Sequence, residues 1–153
     1  MLALTVAILS TSASDAVIMT LTNTSSGAAF YGCRFLSGAA STTAILSTAC
    51  TDLRIEGCEF LGSWHTHGFT TAVISLATGT ATRVIIKNNR FENQGASGTG
   101  ILVNSGFNGY GNFIENNTMY NKAIAIDENS DSFYVVGNRI VVDVAKAAGT
   151  SVD

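Results

Sequence analysis

Residues 83–91 read RVIIKNNRF, a run of aliphatic residues and a lysine, then two adjacent asparagines, an arginine and a phenylalanine. Valine and isoleucine favour β-strands, whereas asparagine tolerates the left-handed backbone conformation that a tight turn requires. The stretch therefore predicts one strand, a sharp corner at Asn88, and a second strand that begins almost at once.

Four other segments of the chain repeat this pattern. They read AAFYGCRF, LRIEGCEF, NFIENNTM and FYVVGNRI, and they end at Phe35, Phe60, Met119 and Ile140. Between them lies a second family of segments: AVIMTL, AILSTA, AVISLA, GILVNS and AIAIDE, beginning at Ala16, Ala44, Ala72, Gly100 and Ala123. The first four of these starts are 28 residues apart and the last interval is 23 residues. A fixed period with strand character and no helical period predicts a parallel β-solenoid of about five rungs.

Stacking the repeats places equivalent residues in columns along the solenoid axis. Large apolar residues form two inward columns: Phe35, Phe60, Phe91, Met119 and Ile140; and Phe30, Ile55, Ile86, Ile114 and Val135. Charges of alternating sign form two outward columns: Glu56, Lys87 and Glu115; and Arg34, Glu59 and Arg90. Opposite charges on neighbouring strands attract each other, so this alternation supports the alignment.

The asparagine pair has two separate roles in this arrangement. The first position of the pair is always glycine or asparagine, which suits a corner: Gly32, Gly57, Asn88, Asn116 and Gly137. The second position points inward and is Cys33 and Cys58 in two repeats and asparagine in the other three. We expect Asn89, Asn117 and Asn138 to form a ladder of amide hydrogen bonds along the axis. The alternative, a glycosylation acceptor formed by Asn116-Asn117-Thr118, would require an exposed loop.

Composition limits the classes of protein to which the chain can belong. Its 153 residues are 46% hydrophobic, which suits one domain with a buried core. The net charge is −3 and the basic residues are scattered, so no nucleic-acid partner is predicted. The apolar run at residues 2–9 is too short to span a membrane, and it precedes the first basic residue, Arg34, which argues against an export signal. Three cysteines do not make a disulfide framework, so we expect reduced core thiols.

The second family of strands is apolar at two adjacent positions. Val17, Ile45, Val73, Ile101 and Ile124 form one expected column, and Ile18, Leu46, Ile74 and Leu102 form the next. Alternate residues of a strand face opposite ways, so one of these columns must point outward. An exposed apolar stripe predicts an interface. We therefore expect Ile18, Leu46, Ile74 and Leu102 to form the contact of a homotrimer.

Loops supply the remaining candidate contact residues. The segment SWHTHGF holds Trp64, His65 and His67, and the glycine-rich turn GFNGYG holds Phe107 and Tyr110. Two histidines at this spacing could bind a metal at a symmetry axis, but no cysteine or carboxylate accompanies them. We predict an aromatic contact loop, with no metal and no cofactor.

An acidic cluster is the main argument for an enzyme. Asp127, Glu128 and Asp131 lie close together in the sequence and could hold a cation. A solvated loop explains the same residues. We predict no catalytic residues, and the chain is expected not to be an enzyme.

The repeated strand, asparagine corner and apolar stack resemble the right-handed parallel β-helix superfamily, which includes pectate-lyase-like enzymes and small bacteriophage spike and decoration proteins. The resemblance implies an all-β fold: a single-stranded right-handed parallel β-helix over residues 16–142, with cap segments at 1–15 and 143–153. It implies a non-enzymatic trimeric decoration or cement protein on a phage capsid surface, bound to the major capsid protein or another virion protein. The alternative is a secreted or cell-surface β-helix that binds or cleaves carbohydrate, supported by Trp64, Phe107 and Tyr110 together with the acidic cluster.

Overall fold

The computed structural model describes residues 7–10, 17–37, 41–62, 68–77, 79–92, 99–120, 124–126 and 133–141. Within these residues the chain forms parallel β-strands stacked as a β-solenoid, with a single turn of 3-10 helix at Asn23–Ser25. The all-β solenoid predicted from the repeats is confirmed. No helix in the described part of the chain is long and apolar enough to cross a membrane.

Three sheets form the walls of the solenoid, and the chain visits them in a fixed order. Sheet 1 contains β2 (Val17–Leu21), β5 (Ser41–Ser47), β8 (Phe69–Leu76), β12 (Thr99–Val103) and β16 (Ile124–Ile126). Sheet 2 contains β3 (Ala29–Tyr31), β6 (Arg54–Glu56), β10 (Ile85–Lys87), β14 (Asn112–Glu115) and β17 (Phe133–Val136). Sheet 3 contains β1 (Ala7–Ser10), β4 (Arg34–Ser37), β7 (Glu59–Gly62), β11 (Arg90–Glu92), β15 (Thr118–Tyr120) and β18 (Arg139–Val141). Two short strands, β9 (Gly79–Thr80) and β13 (Phe107–Asn108), pair with each other after sheet 1.

The corner between sheets 2 and 3 lies where the asparagine pairs predicted it. All five corner residues have positive φ, from 53° at Asn116 to 67° at Gly137. A second corner, before sheet 2, has the same backbone conformation at Gly27, Asp52, Arg83 and Gly111. The sequence gives little sign of this second corner, because aspartate and arginine occupy two of its four positions.

The register of sheets 2 and 3 matches the predicted columns. Phe60 pairs with Phe35 and Phe91, and the rings stack at centroid distances of 4.7 and 5.0 Å. All three of these phenylalanines are fully buried, as are Ile55 and Ile86 in the neighbouring column. The core therefore lies along the axis between these two sheets and sheet 1.

The number of turns is a correction to the sequence-based expectation. The solenoid has about three turns, not five. The first and last sets of strands extend the sheets, but their inward side chains are incompletely covered: Phe30 is half-buried, and Val135 and Ile140 are 46% and 40% exposed. The outermost strands therefore form open ends rather than closed turns.

The register of sheet 1 is a second correction. Ile74 pairs with Ile45 and Ile101, and its side chain is fully buried. Leu46 and Leu102 pair instead with Ser75, in a column that includes Thr20 and Ala125. Strand β2 is also shifted, since Met19 and not Val17 pairs with Ile45. A slip of one residue moves a side chain to the opposite face, so the predicted continuous stripe from Ile18 to Leu102 does not exist.

Candidate functional site: an uncovered end of the solenoid

Ionisable side chains on the outer faces of sheets 2 and 3 are engaged with one another. Glu59 accepts a hydrogen bond from Arg34 at 2.5 Å, and Lys87 lies 3.5 Å from Glu56. Arg90 pairs with Glu92 at 3.0 Å and its guanidinium lies over the Tyr120 ring. These pairs are partly exposed and individually stabilise little. Glu56, Glu59 and Glu92 therefore each have a basic partner.

Asp52 and Arg83 form a two-pronged ion pair at the second corner. The Arg83 guanidinium donates through Nε to Asp52 Oδ1 and through Nη2 to Oδ2, the latter at 2.6 Å. These hydrogen bonds lower the pKa of the exposed Asp52 carboxyl and raise the pKa of Arg83. Because Asp52 is thereby held in its ionised form, it is poorly suited to donate a proton at neutral pH.

The predicted contact loops are only partly within the described chain. Trp64, His65 and His67 lie outside the described residues, as do Asp127, Glu128 and Asp131. Across the residues that are described, no group of three or more histidine, cysteine, aspartate or glutamate side chains could hold a metal ion.

Phe107 is not the exposed contact residue that its glycine-rich surroundings suggested. It is fully buried in β13 and packs against Phe133 with ring centroids 5.4 Å apart. The pairing of β13 with β9 directs it into the core. Tyr110, three residues later, is 67% exposed. The two aromatics therefore lie on opposite sides of the wall and cannot form one binding patch.

The residues proposed for a trimer interface are also separated. Ile74 lies in the core, whereas Ile18, Leu46 and Leu102 are partly buried. Ile18 aligns with the fully buried Ala44 and Val73, two positions along the strand from the column of Leu46 and Leu102. The homotrimer stays a prediction, without the continuous column from which it was argued.

The asparagines after the corner form a hydrogen-bonded ladder. Asn117 Oδ1 accepts from both the backbone N–H and Nδ2 of Asn89, at 3.0 Å each. Asn138 Oδ1 accepts in the same way from Asn117, at 3.0 and 2.9 Å. Each Nδ2 also donates to a carbonyl of the preceding strand in sheet 2: Ile55, Ile86 and Ile114. The ladder runs toward the end of the solenoid and stops at Asn138, whose side chain is only half-buried.

That end of the solenoid carries most of the exposed large apolar side chains in the described chain. Val135 and Ile140 continue the two inward columns but are 46% and 40% exposed, whereas their neighbours Ile114 and Met119 are fully buried. Ile126 is 40% exposed in sheet 1, and Tyr134 and Val136 are 62% and 58% exposed in sheet 2. We call these five residues the apolar end.

Backbone groups at the apolar end are available for pairing as well. Among the described strands, β16, β17 and β18 each pair on one side alone. The Tyr134 ring stacks on Phe113 at 5.0 Å and 17° and leaves its other face toward the end. Strand edges of this kind are templates for adding another strand. The apolar end therefore offers hydrogen bonds and apolar surface together.

The repeats alone did not identify this end as the dominant apolar surface. The signal was present in the columns themselves, because Val135 and Ile140 are the last members of apolar columns with no further repeat aligned to them.

No protein-family model matches the chain, and comparison with curated proteins and with solved structures yields no significant match. The structure alone supports the parallel β-solenoid, and the resemblance to phage decoration proteins and to pectate-lyase-like enzymes stays an expectation from the repeats.

Proposed function

We propose that this protein is a non-enzymatic structural protein that binds a partner protein through the apolar end. The observation that carries the proposal is the exposure of Val135 and Ile140, whose neighbours in the same columns, Ile114 and Met119, are fully buried. The setting we propose, from the resemblance of its repeats, is a bacteriophage virion, with the chain acting as a trimeric capsid decoration or cement protein.

Physical chemistry favours binding at this end. Complete burial of one large aliphatic side chain contributes about 1.5–3 kcal/mol. Ile126, Val135 and Ile140 at the apolar end are 40–46% exposed, so a partner that covered them would gain part of this free energy from each side chain. A partner that laid parallel strands against β16, β17 and β18 would cover them and pair the backbone edges at the same time. Because such a partner would bind the folded solenoid and not the unfolded chain, binding would stabilise the solenoid. By the same linkage, binding would stabilise the capsid.

Carbohydrate binding is the second candidate, and one observation favours it. Tyr134 and Tyr110 are 62% and 67% exposed, and an exposed aromatic ring can pack against a sugar. With Phe107 buried, this candidate has lost one of its three aromatics. Retention on immobilised polysaccharides that disappears in Tyr134→Ser would favour it over protein binding.

The test is quantitative mass spectrometry of purified particles from the phage that carries the gene. The double variant Val135→Asp/Ile140→Asp places two charges on the apolar end, and Tyr110→Ser changes a more exposed residue elsewhere. We expect the wild type and Tyr110→Ser in particles at the same copy number, with the double variant reduced at least tenfold. Circular dichroism checks that the double variant is folded. Absence of the wild type from particles, or full occupancy by the folded double variant, would contradict the proposal.

A further inference from the structure

Cys33 and Cys58 occupy the ladder position in the two repeats that lack an asparagine. The backbone pairing of Phe35 with Phe60 and of Arg34 with Glu59 places Cys33 directly beside Cys58 on adjacent parallel strands. The Glu59 N–H donates to the Cys33 carbonyl at 2.9 Å, which fixes this register at the cysteines themselves.

The Cys58 thiol takes the place of a ladder amide. Its Sγ lies 3.5 Å from the Phe30 carbonyl, the same strand-to-strand contact that Asn89 Nδ2 makes with the Ile55 carbonyl. Burial is the main reason that the pKa of the Cys58 thiol is raised, and the nearby Cys33 also contributes. The sulfur of Cys58 therefore reaches toward the neighbouring strand, on which Cys33 lies beside it.

We infer that Cys33 and Cys58 are a disulfide-forming pair that links the first two sets of strands when the protein meets an oxidant. Both thiols are free in the structure. Neighbouring strands lie about 4.8 Å apart, within the roughly 4.4–6.8 Å that Cα atoms of a disulfide span. Cys33 is half-buried and open to a small oxidant, whereas Cys58 is fully buried.

The reaction balances with a hydroperoxide as the oxidant. The peroxide transfers one oxygen to the Cys33 sulfur, giving a sulfenic acid and, from hydrogen peroxide, one water. The Cys58 sulfur then attacks the Cys33 sulfur, the S–S bond forms, and the hydroxyl leaves with the Cys58 proton as a second water. Two thiols have lost two protons and two electrons in total. The new bond closes a long loop at the part of the ladder where asparagine amides are missing, and so should stabilise the fold.

The third cysteine provides a matched control. Cys50 is fully buried, and its thiol donates to the Ser25 carbonyl at 3.2 Å, away from the other two. Trypsin cleavage after Arg34, Arg54 and Arg83 places the three cysteines on three different peptides: residues 1–34, 35–54 and 55–83. The disulfide partners can therefore be read directly from a peptide map of the wild type, without any variant.

The experiment treats the folded protein with hydrogen peroxide, blocks the remaining thiols, and analyses tryptic peptides without reduction. We expect peptide 1–34 joined to 55–83, a loss of two hydrogen mass units from the intact protein, and a rise in Tm of about 5–10 °C that a reductant reverses. Cys50→Ser should behave as the wild type, and Cys33→Ser should lose both the link and the rise. A link that involves peptide 35–54, or stable oxygen addition at Cys33 with no link, would overturn the inference.

Discussion

Asn117 shows at the scale of one residue why the chain repeats asparagine at the corner. Its side chain is fully buried and makes four hydrogen bonds, accepting two from Asn89 and donating to Ile86 and Asn138. A buried amide is tolerated because every polar atom of the side chain has a partner. The adjacent Asn116 supplies the corner at φ 53°.

Replacement of Asn117 by alanine should destabilise the fold strongly. The variant leaves the Asn89 backbone N–H without its side-chain acceptor and removes one hydrogen bond each from Asn89 Nδ2 and the Ile86 carbonyl. We therefore expect a loss of about 3 kcal/mol in the free energy of unfolding. Urea denaturation measures this loss. Asn108→Ala is the control, since the Asn108 side chain is exposed and donates to the nearby Gly106 carbonyl. Equal losses in the two variants would argue against the ladder.

Glycine is replaceable by asparagine at the corner between sheets 2 and 3, whereas Gly109, between β13 and β14, leaves no room even for alanine. Gly57 has φ 63° and open space around the added Cβ, and asparagines occupy the same corner in other repeats. We expect Gly57→Asn to change stability by less than about 1 kcal/mol. In Gly109→Ala the added Cβ would lie 1.7 Å from the Ala81 carbonyl oxygen, so the local backbone must move. Thermal melts that rank the two variants in the opposite order would show that the corner is wrongly placed.

Alkaline pH should weaken the fold through Cys58. Burial raises the pKa of this thiol from 9.0 to about 11. As pH rises, the thiol therefore loses its proton in the unfolded chain before it does so in the folded protein. The stabilising contribution is complete below pH 9 and disappears as pH rises toward 11, a loss of up to about 3 kcal/mol. Denaturation midpoints measured in reductant from pH 9 to pH 11 should fall less steeply with pH for Cys58→Ala than for the wild type. A residual fall is expected because burial also raises the pKa of Cys50.

At the scale of strands, the three sheets were predictable to different degrees. Sheets 2 and 3 were predictable because each repeat alternates apolar and charged residues around a corner, and a slip would bury Glu59 or expose Phe60. Sheet 1 was not, because Ile45 and Leu46 are adjacent apolar residues and leave the register undetermined. An irregularity between Ser41 and Thr43 shifts the pairing with β8 by one residue, and nothing in the sequence marks it.

The corrected register of sheet 1 makes opposite predictions for two residues once treated alike. Ile74→Asp places a charge in the core and should prevent folding, with a loss above about 4 kcal/mol. Leu46→Asp lies on the other face, partly exposed, and should leave the protein folded with a loss of about 1–2 kcal/mol. Circular dichroism and thermal melts distinguish the two variants. A folded Ile74→Asp variant would contradict the observed register and support the register expected from the sequence.

At the scale of the whole molecule, the repeats predicted the solenoid but not its ends. Five sets of strands were counted from the sequence, whereas about three turns are closed. Closure depends on neighbours on both sides, which a repeat pattern does not contain. Thus Val135 aligns with the fully buried Ile114 and yet is 46% exposed. The apolar end follows from stacking, not from local sequence.

The most direct test of the proposed virion role is an electron cryo-microscopy reconstruction of purified particles of the phage that is proposed to carry the protein. The account predicts solenoids bound to the particle with β16, β17 and β18 facing the partner and with Val135 and Ile140 covered. Particles without the protein, or solenoids attached by another face with the apolar end open to solvent, would contradict it.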